Sequence, residues 1–299
     1  MKRFAPWLRQ DVPQREWLEF SRMLQRRGLD TICFQARCPN VAACFKNKCA
    51  TFLILGPVCT RQCRFCAVKK SPAYPLSLDN EEPGRIARAV ADLRLSYCVI
   101  TSVTRDDLED QGAGQFARTI KAIRRFSPDV QIEVLIPDLG ADERLLRAVI
   151  EAQPAVIGHN LETVKRLYHQ VRPQADYQVS LAVLRAIKNI DPDIITKSSL
   201  MLGLSETGDE VVQAMHDLRD AGCDILTLGQ YLAPSEQHVP VHEYVVPERF
   251  DDYGRAAAVL GFSAVSAGPL VRSSFKAEES FRKAKACMTR SSSAQALRA

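Results

Sequence analysis

The sequence lacks a long hydrophobic run, a secretion signal and a strong excess of one charge. No apolar stretch approaches the length of about 20 residues with which a helix spans a bilayer, and residues 1–9 contain neither an apolar core nor a small-residue cleavage site. The net charge is +5 over 299 residues, and the basic residues are scattered among carboxylates rather than grouped with aromatic residues. These absences argue against a membrane-spanning, secreted or nucleic-acid-binding protein, and they favour a cytoplasmic one.

The five histidines do not have the spacing of a metal-ligand set, so we expect each of them to be a surface or core imidazole rather than a catalytic residue. Cysteine is abundant instead: the chain has ten, and six of them fall into two triplets. The first triplet has the spacing C-x4-C-x5-C, and the second has the spacing C-x3-C-x2-C. In chain order, the two triplets are Cys33, Cys38 and Cys44, then Cys59, Cys63 and Cys66. The apolar residues 51–55 between them predict a buried strand, which places the second triplet in the loop that leaves this strand.

Thiolates are soft ligands that suit iron–sulfur clusters, zinc and copper(I). A four-iron cluster takes four cysteines as a full set, so a triplet on one loop ligates three irons and leaves the fourth open. An open iron can bind the amine and the carboxylate of S-adenosylmethionine. Structural zinc prefers four closed ligands with cysteines in two-residue pairs, and only Cys63 and Cys66 form such a pair. The spacing therefore favours clusters over zinc, and it favours disulfides least.

The second triplet resembles the motif of the radical S-adenosylmethionine (radical SAM) superfamily, with an aromatic residue, Phe65, before its last cysteine. The first triplet contains Pro39 and Asn40 and ends 15 residues before Cys59, which narrows the resemblance to the lipoyl synthase family. Six further segments resemble motifs of the same family: residues 101–103, 105–107, 159–163, 171–173, 226–232 and 272–274. The chain departs from the family pattern at Lys48, Cys49, Ser199, Ser205 and Phe275. The two serines replace common glycines, and Phe275 replaces a common tyrosine.

Downstream of residue 51, short apolar runs alternate with amphipathic helical patterns, which predicts parallel strands joined by right-handed crossovers. The candidate strands are residues 51–55, 97–101, 130–136, 155–158, 199–204, 225–229 and 262–266. The resemblance implies an α/β fold, a partial (βα)6 TIM-type barrel with N- and C-terminal extensions. We expect residues 1–50 to carry the first triplet, residues 51–268 to form the barrel, and residues 269–299 to form a C-terminal extension. The loops after the carboxyl ends of the strands carry the active site in such barrels.

Polar residues follow each candidate strand, and helix capping explains only part of this pattern. Asn160 and Glu162 are candidates to bind the nucleotide hydroxyls or the methionine group of S-adenosylmethionine. Ser102 and Arg172 are weaker candidates for the same cofactor, and Gly203 would allow adenine to approach the backbone. Two further residues at strand ends, Arg105 and Gln230, are candidates to contact either the substrate or the second cluster.

The resemblance implies a lipoyl synthase reaction, the radical insertion of two sulfur atoms at C6 and C8 of a protein-bound octanoyl-lysine. These C–H bonds are unactivated, so a cofactor must supply a hydrogen-atom abstractor. The resemblance assigns one 4Fe–4S cluster, which acts on S-adenosylmethionine, to Cys59, Cys63 and Cys66. It assigns a second, auxiliary cluster, the sulfur source, to Cys33, Cys38 and Cys44. Ser274 corresponds to the fourth ligand of the auxiliary cluster, and Cys49 is its competitor.

The resemblance also implies three partners: an octanoylated lipoyl carrier domain, an electron donor and a cluster-repair protein. The carrier would be an E2 subunit of a 2-oxoacid dehydrogenase or the glycine cleavage H protein. Three alternatives remain open from the residues. They are a methylthiotransferase, a biotin synthase-like enzyme, and a binding protein stabilised by zinc or a cluster without turnover.

Overall fold

The structure is a computed structural model that describes residues 5–9, 16–46, 51–71 and 77–296. The described strands are β1 Asp30–Thr31, β2 Thr51–Ile54, β3 Val58–Cys59, β4 Lys69–Lys70, β5 Tyr97–Ser102, β6 Gln131–Leu135, β7 Val156–Gly158, β8 Ile195–Leu202, β9 Ile225–Gln230 and β10 Ala264–Gly268. The α-helices are α1 Glu16–Arg26, α2 Ile32–Gln35, α3 Val41–Lys46, α4 Glu82–Leu93, α5 Ala113–Phe126, α6 Glu143–Ile150, α7 Tyr168–Val171, α8 Tyr177–Ile190, α9 Gly208–Asp220, α10 Pro247–Val259 and α11 Ala277–Ala296.

The main sheet has eight strands in the order β1-β2-β5-β6-β7-β8-β9-β10. Every neighbouring pair from β2 to β10 is parallel, and only the short β1 runs antiparallel, along β2. Strand order follows chain order, as expected when each strand is followed by a helix that returns to the same end of the sheet. Within the described residues the outer strands β1 and β10 do not pair with each other, so the barrel is open. The predicted α/β class with a partial barrel is confirmed.

The barrel differs in detail from the prediction. The resemblance implied six strands, and the sheet adds a seventh parallel strand, β10, which the apolar pattern had indicated. The fifth candidate strand begins at Ile195 rather than at residue 199. Its first half contains Thr196, Lys197 and Ser198, all of which are buried. These polar residues hid the start of the strand, because a buried strand is normally recognised by an apolar run.

The helices pack against the sheet through apolar faces. Phe52 of β2, Phe116 of α5 and Phe250 of α10 are fully buried, and complete burial of such a side chain stabilises the fold by about 1.5–3 kcal/mol. In the part of the chain that the structure describes, no helix is both long enough and apolar enough to cross a membrane.

The amino end of the barrel is filled by a buried ion pair and covered by the last helix. Lys197 Nζ donates to Glu133 Oε1 at 2.7 Å, and the Tyr97 hydroxyl donates to Glu133 Oε2 at 2.6 Å. Phe281 of α11 packs on the ring of Tyr97 with 5.6 Å between the ring centroids. The amino end of the barrel is therefore closed by packing, and the candidate site lies at the carboxyl ends of the strands.

The N-terminal segment reaches the C-terminal segment across the carboxyl end of the barrel. Asn40, which precedes α3, is buried and donates from Nδ2 to the carbonyl of Leu270 at 2.6 Å. Arg37 donates to the carbonyl of Pro234 at 3.0 Å. The division of the chain at residues 50 and 268 stays a prediction.

Candidate active site

A cavity of about 340 Å³ opens at the carboxyl ends of the parallel strands. The loops after β2, β5, β6, β7 and β9 contribute to its wall, together with the segments around the first triplet and around residues 271–274. The cysteines that line it are Cys33, Cys38, Cys59, Cys63 and Cys66. All three cysteines of the second triplet and two of the first, Cys33 and Cys38, therefore face one common space.

The second triplet lies in the loop of residues 59–66, which we call the cluster loop. Its backbone is attached on several sides: Lys70 Nζ donates to the carbonyl of Cys63 at 2.7 Å. His238 Nε2 lies 3.1 Å from the carbonyl oxygen of Cys66. These bonds shape the loop around its cysteines.

The first triplet lies on two short helices and the turn between them. Cys33 is in α2, Cys38 follows that helix, and Cys44 is in α3. The N–H of Cys38 donates to the carbonyl of Cys33 at 3.0 Å, and the N–H of Cys44 donates to that of Asn40 at 2.9 Å. Cys44 is half-buried and packs against the same core as Cys33, but it does not line the cavity.

Ser274 is brought to the first triplet through Thr51. The Thr51 hydroxyl donates to Ser274 Oγ at 2.8 Å, and Thr51 also hydrogen-bonds the Cys33 thiol. Arg272 lies close enough to Cys38 for its charge to favour the thiolate. Ser274 thus lies near the first triplet, and its role as the fourth ligand of the auxiliary cluster stays a prediction. Cys49, the predicted competitor, lies outside the described residues.

Burial disfavours the charged form of two cysteines in each triplet. It raises the pKa of Cys33 and the pKa of Cys66 to about 11, although hydrogen bonds from Thr51 and Val68 oppose the shift. Burial also raises the pKa of Cys38 and of Cys63. These four thiols are therefore protonated at neutral pH unless a metal replaces the proton, and metal binding must release protons.

The donor set fits iron–sulfur clusters better than it fits a single ion. Among the residues that the structure describes, no three Cys, His, Asp or Glu side chains lie close enough together to hold one metal ion. Five of the triplet cysteines instead line one open cavity, which leaves room for a group larger than a single ion. Three buried polar atoms on the cavity wall also have no hydrogen-bond partner among the described residues: Ser102 Oγ, His159 Nε2 and Arg172 Nε. A polar ligand such as S-adenosylmethionine could satisfy them.

The residues after β7 form one hydrogen-bonded group. Asn160 Nδ2 donates to Glu162 Oε1 at 3.0 Å, and the Ser273 hydroxyl donates to Asn160 Oδ1 at 3.1 Å. Burial raises the pKa of Glu162, an effect that Arg172 and Asn160 oppose. Glu162 has a φ of 70°, which is unusual for a residue other than glycine and is typical of strained functional positions. Asn160, Glu162 and Arg172 all line the cavity, and their contact with S-adenosylmethionine stays a prediction.

Three other candidates have structural partners instead. Gly203 lies outside the cavity wall, and a side chain there would collide with Gln230 Nε2 and lie 2.5 Å from the carbonyl oxygen of Glu243. Its contact with adenine stays a prediction, but its packing already explains the glycine. Arg105 is buried and bonds Asp107 at 2.7 Å through both Nε and Nη2. Arg105 therefore fastens its own loop.

Gln230 lines the cavity, but its side-chain amide is already engaged. Nε2 is 3.0 Å from the carbonyl oxygens of Leu202, Tyr231 and Glu243, and Oε1 accepts from the N–H of Val245 at 2.8 Å. The side chain thus holds the segment around residue 243 against strands β8 and β9.

Sequence reasoning missed two cavity residues, Arg61 and His159. We expected His159 to be a surface or core imidazole, and it is buried, with Nδ1 3.0 Å from the carbonyl oxygen of Ile136. Its Nε2 has no partner among the described residues, which distinguishes it from an ordinary core histidine. Burial, together with the nearby charge of Arg172, lowers the pKa of His159 to about 4. A lone histidine or arginine has no spacing signal, so only its position after a strand could have indicated these residues.

The chain is similar to several known proteins. The family model of the Radical SAM superfamily matches residues 53–229, which include the cluster loop. The chain is 50% identical over 272 residues to a lipoyl synthase of Caldanaerobacter subterraneus subsp. tengcongensis, covering 91% of this chain and 95% of the relative. It is 51% identical over 274 residues to a lipoyl synthase of Caldicellulosiruptor saccharolyticus, with the same two coverages. The crystal structure of a methylornithine synthase shares the fold, with a TM-score of 0.51, 14% identity and coverages of 80% and 65%.

Proposed function

The chain belongs to the lipoyl synthase family of the radical SAM superfamily, and on this premise we propose that it inserts sulfur at C6 and C8 of an octanoyl group carried on a lysine of another protein. It is a radical SAM enzyme, and its cofactors are two 4Fe–4S clusters and S-adenosylmethionine. The observation that supports the assignment of residues is the cavity lined by five of the six triplet cysteines, Cys33, Cys38, Cys59, Cys63 and Cys66.

Cys59, Cys63 and Cys66 hold the cluster that acts on S-adenosylmethionine. Cys33, Cys38 and Cys44 hold the auxiliary cluster, with Ser274 as its fourth ligand. When bound, the first cluster would supply the electron that cleaves S-adenosylmethionine, and the second would supply the sulfur atoms. The contact between Thr51 and both Cys33 and Ser274 supports the second ligand set. A hydroxyl is a harder ligand than a thiolate and a poorer match for a cluster iron, so Ser274 would be the most easily released of the four ligands.

The polar side chains of the wall bind and orient S-adenosylmethionine. Asn160 and Glu162 are held in register by their mutual hydrogen bond and by Ser273, so they meet hydroxyl or ammonium groups without reorganising. Ser102 and Arg172 each keep a buried polar atom free for the same ligand. The apolar remainder of the wall excludes water, which keeps the radical from side reactions.

The substrate is an octanoylated lipoyl carrier protein. Its finer identity, an E2 subunit or the glycine cleavage H protein, belongs to the proposal, as do an electron donor and a cluster-repair protein. A cytoplasmic location is proposed because thiolate ligands persist under reducing conditions.

A single-turnover reaction tests the function. Anaerobically reconstituted protein is mixed with dithionite, S-adenosylmethionine and an octanoyl-lysyl peptide, and the peptide mass is followed by mass spectrometry. The expected product has gained two sulfur atoms. Cys63→Ser should abolish both 5′-deoxyadenosine and product, whereas Cys38→Ser should retain 5′-deoxyadenosine and lose sulfur transfer. Equal losses of both products in the two variants would contradict the assigned roles of the triplets.

A further inference from the structure

Arg61 lies in the cluster loop between Cys59 and Cys63, and its side chain bonds carboxylates from two other loops. Its Nε and Nη2 donate to Asp106 at 3.1 and 2.9 Å. Its Nη2 also donates to Asp138 Oδ1 at 2.8 Å, and its Nη1 donates to Asp138 Oδ2. Asp106 follows β5 and Asp138 follows β6, so one guanidinium joins the cluster loop to the ends of two neighbouring strands.

This arrangement is shielded from water and fixed in orientation. The Arg61 side chain is 12% exposed and that of Asp138 is 5% exposed, while Asp106 is 40% exposed. A planar guanidinium that meets one carboxylate on each of two edges can neither rotate nor slide without breaking paired hydrogen bonds. Thr60 adds a second attachment, because its hydroxyl donates to Asp106 Oδ2 at 2.7 Å and its N–H donates to the carbonyl of Thr104 at 3.0 Å.

The attachment lies beside one sulfur atom of the second triplet. The backbone N–H groups of Arg61 and Thr104 each donate to Cys59 Sγ at 3.4 Å. One donor belongs to Arg61 itself, and the other lies two residues before Asp106. The salt bridge between Arg61 and Asp106 therefore fixes the two segments that supply these donors. Hydrogen bonds to the sulfur ligands of an iron–sulfur cluster help set its reduction potential, since they stabilise the more negative, reduced state.

We infer that Arg61 is a positioning residue that holds two N–H donors on the Cys59 sulfur and thereby raises the reduction potential of the cluster in the second triplet. This inference rests on the proposed function, because it requires a cluster at Cys59. It extends that function by giving the Arg61–Asp106–Asp138 network a measurable electronic consequence.

Charge-conserving variants separate geometry from net charge. Arg61→Lys keeps the positive charge and removes the planar fork, and Asp138→Glu keeps the negative charge and displaces it. Arg166→Lys is the matched control, because Arg166 also forms a two-bond pair with one carboxylate, donating to Glu210 through Nε and Nη2 at 2.6 and 2.9 Å. Arg166 follows β7, and its Nη2 also donates to the carbonyl of Ser205, so these bonds lie away from the segments that supply the two donors to Cys59.

The experiment is a potentiometric titration of the reconstituted full-length protein, followed by electron paramagnetic resonance. The signal monitored is the one that changes on addition of S-adenosylmethionine, which identifies the cluster with an open iron. In Arg61→Lys we expect the reduction equilibrium to become at least tenfold less favourable, a negative shift of about 59 mV for one electron. Asp138→Glu should shift it in the same direction. Arg166→Lys should leave the potential unchanged.

An unchanged potential in a folded Arg61→Lys protein would overturn the inference, and so would an equal shift in Arg166→Lys. If Arg61→Lys does not fold, Asp138→Glu decides the question alone. A parent protein without any signal that responds to S-adenosylmethionine would overturn the proposed function together with the inference. If the parent signal responds to S-adenosylmethionine but the reduction potential of Arg61→Lys equals that of the parent, only the inference is overturned.

Discussion

Ser205 occupies a backbone conformation that favours glycine, with a φ of 90°. It lies in the turn after β8, at a position where the resemblance described above implied a glycine. A non-glycine residue in this region is strained by about 1 kcal/mol or more. Its carbonyl accepts from Arg166 Nη2 at 2.8 Å, a bond that any substitution of the side chain retains.

We therefore expect Ser205→Gly to raise the free energy of unfolding by about 1 kcal/mol, because the strain of the Cβ atom is removed. Chemical denaturation of the parent and the variant measures the difference. Ser205→Ala is the control and should give no gain, since it keeps the Cβ atom. A stabilisation of equal size in Ser205→Ala would show that the hydroxyl, not the backbone, is responsible.

His159 makes stability depend on pH. Its folded-state pKa of about 4 lies below the ordinary value of 6.5, because burial and the charge of Arg172 oppose protonation. The unfolded chain therefore takes up a proton first, and stability falls as the pH drops below 6.5. Between pH 7.5 and pH 5.5 the loss from this residue is about 1.4 kcal/mol. His159→Gln should reduce the difference between urea unfolding curves at these two pH values by that amount, and an unchanged difference would refute the assignment.

The site was predictable at the residue scale where spacing carries information. Cys59, Cys63 and Cys66 are recognisable because three ligands of one cluster must lie on one short loop. Arg61 and His159 have no such signature. Arg61 is recognised by its bond to Asp106, which lies more than 40 positions away in the chain. His159 is recognised by its buried Nε2, which has no hydrogen-bond partner among the described residues.

The elements most difficult to predict are those that bury polar groups. Strand β8 begins with a polar half because Lys197 is only 1% exposed and pairs with Glu133, which is 2% exposed. Sequence patterns assign such residues to a surface or a loop. The pairing partner on β6 is 64 residues away, so local periodicity contains no trace of it.

Breaking this buried pair should be costly. We expect Lys197→Met to lower the free energy of unfolding by about 3–5 kcal/mol, because Glu133 loses its partner inside the barrel. The double variant Lys197→Met with Glu133→Gln should recover most of the loss, since Tyr97 can still donate to the amide oxygen. Arg282→Gln removes an exposed pair with Glu278 and should cost less than about 1 kcal/mol. No recovery in the double variant would mean that packing rather than charge determines the loss.

The segment that carries the first triplet depends on Asn40. Asn40→Ala leaves the carbonyl of Leu270 without this donor in a buried position, which should cost about 1–3 kcal/mol. We expect reconstituted iron to fall from about eight atoms per chain toward about four, with the signal that responds to S-adenosylmethionine retained. Arg27 lies in the same N-terminal segment and forms an exposed pair with Asp92 of α4. Arg27→Gln removes this pair and should keep both clusters. Loss of the responsive signal in Asn40→Ala would contradict an independent role for the first triplet.

At the scale of the whole molecule, the alternation of strands and helices predicted the fold. The seven predicted apolar strands correspond to seven parallel strands that pair in chain order. This order is expected because a strand joined to the next by one crossover helix usually pairs with that next strand. The antiparallel strand β1, Asp30–Thr31, was not predictable, since two residues form no period. The resemblance to lipoyl synthases is confirmed by relatives about 50% identical over 91% of the chain, which sets aside the methylthiotransferase, the biotin synthase-like enzyme and the binding protein.

The contacts between the N-terminal segment and the barrel have an evolutionary consequence. Arg37 and Asn40 donate to the main-chain oxygens of Pro234 and Leu270 rather than to their side chains. Every amino acid offers the same oxygen at those two positions, so substitutions there leave the bond intact. Correlated substitution across homologues would therefore be weak between these pairs of residues. A contact map inferred from covariation would underestimate how firmly the N-terminal segment is held against the loop after β9 and the segment after β10.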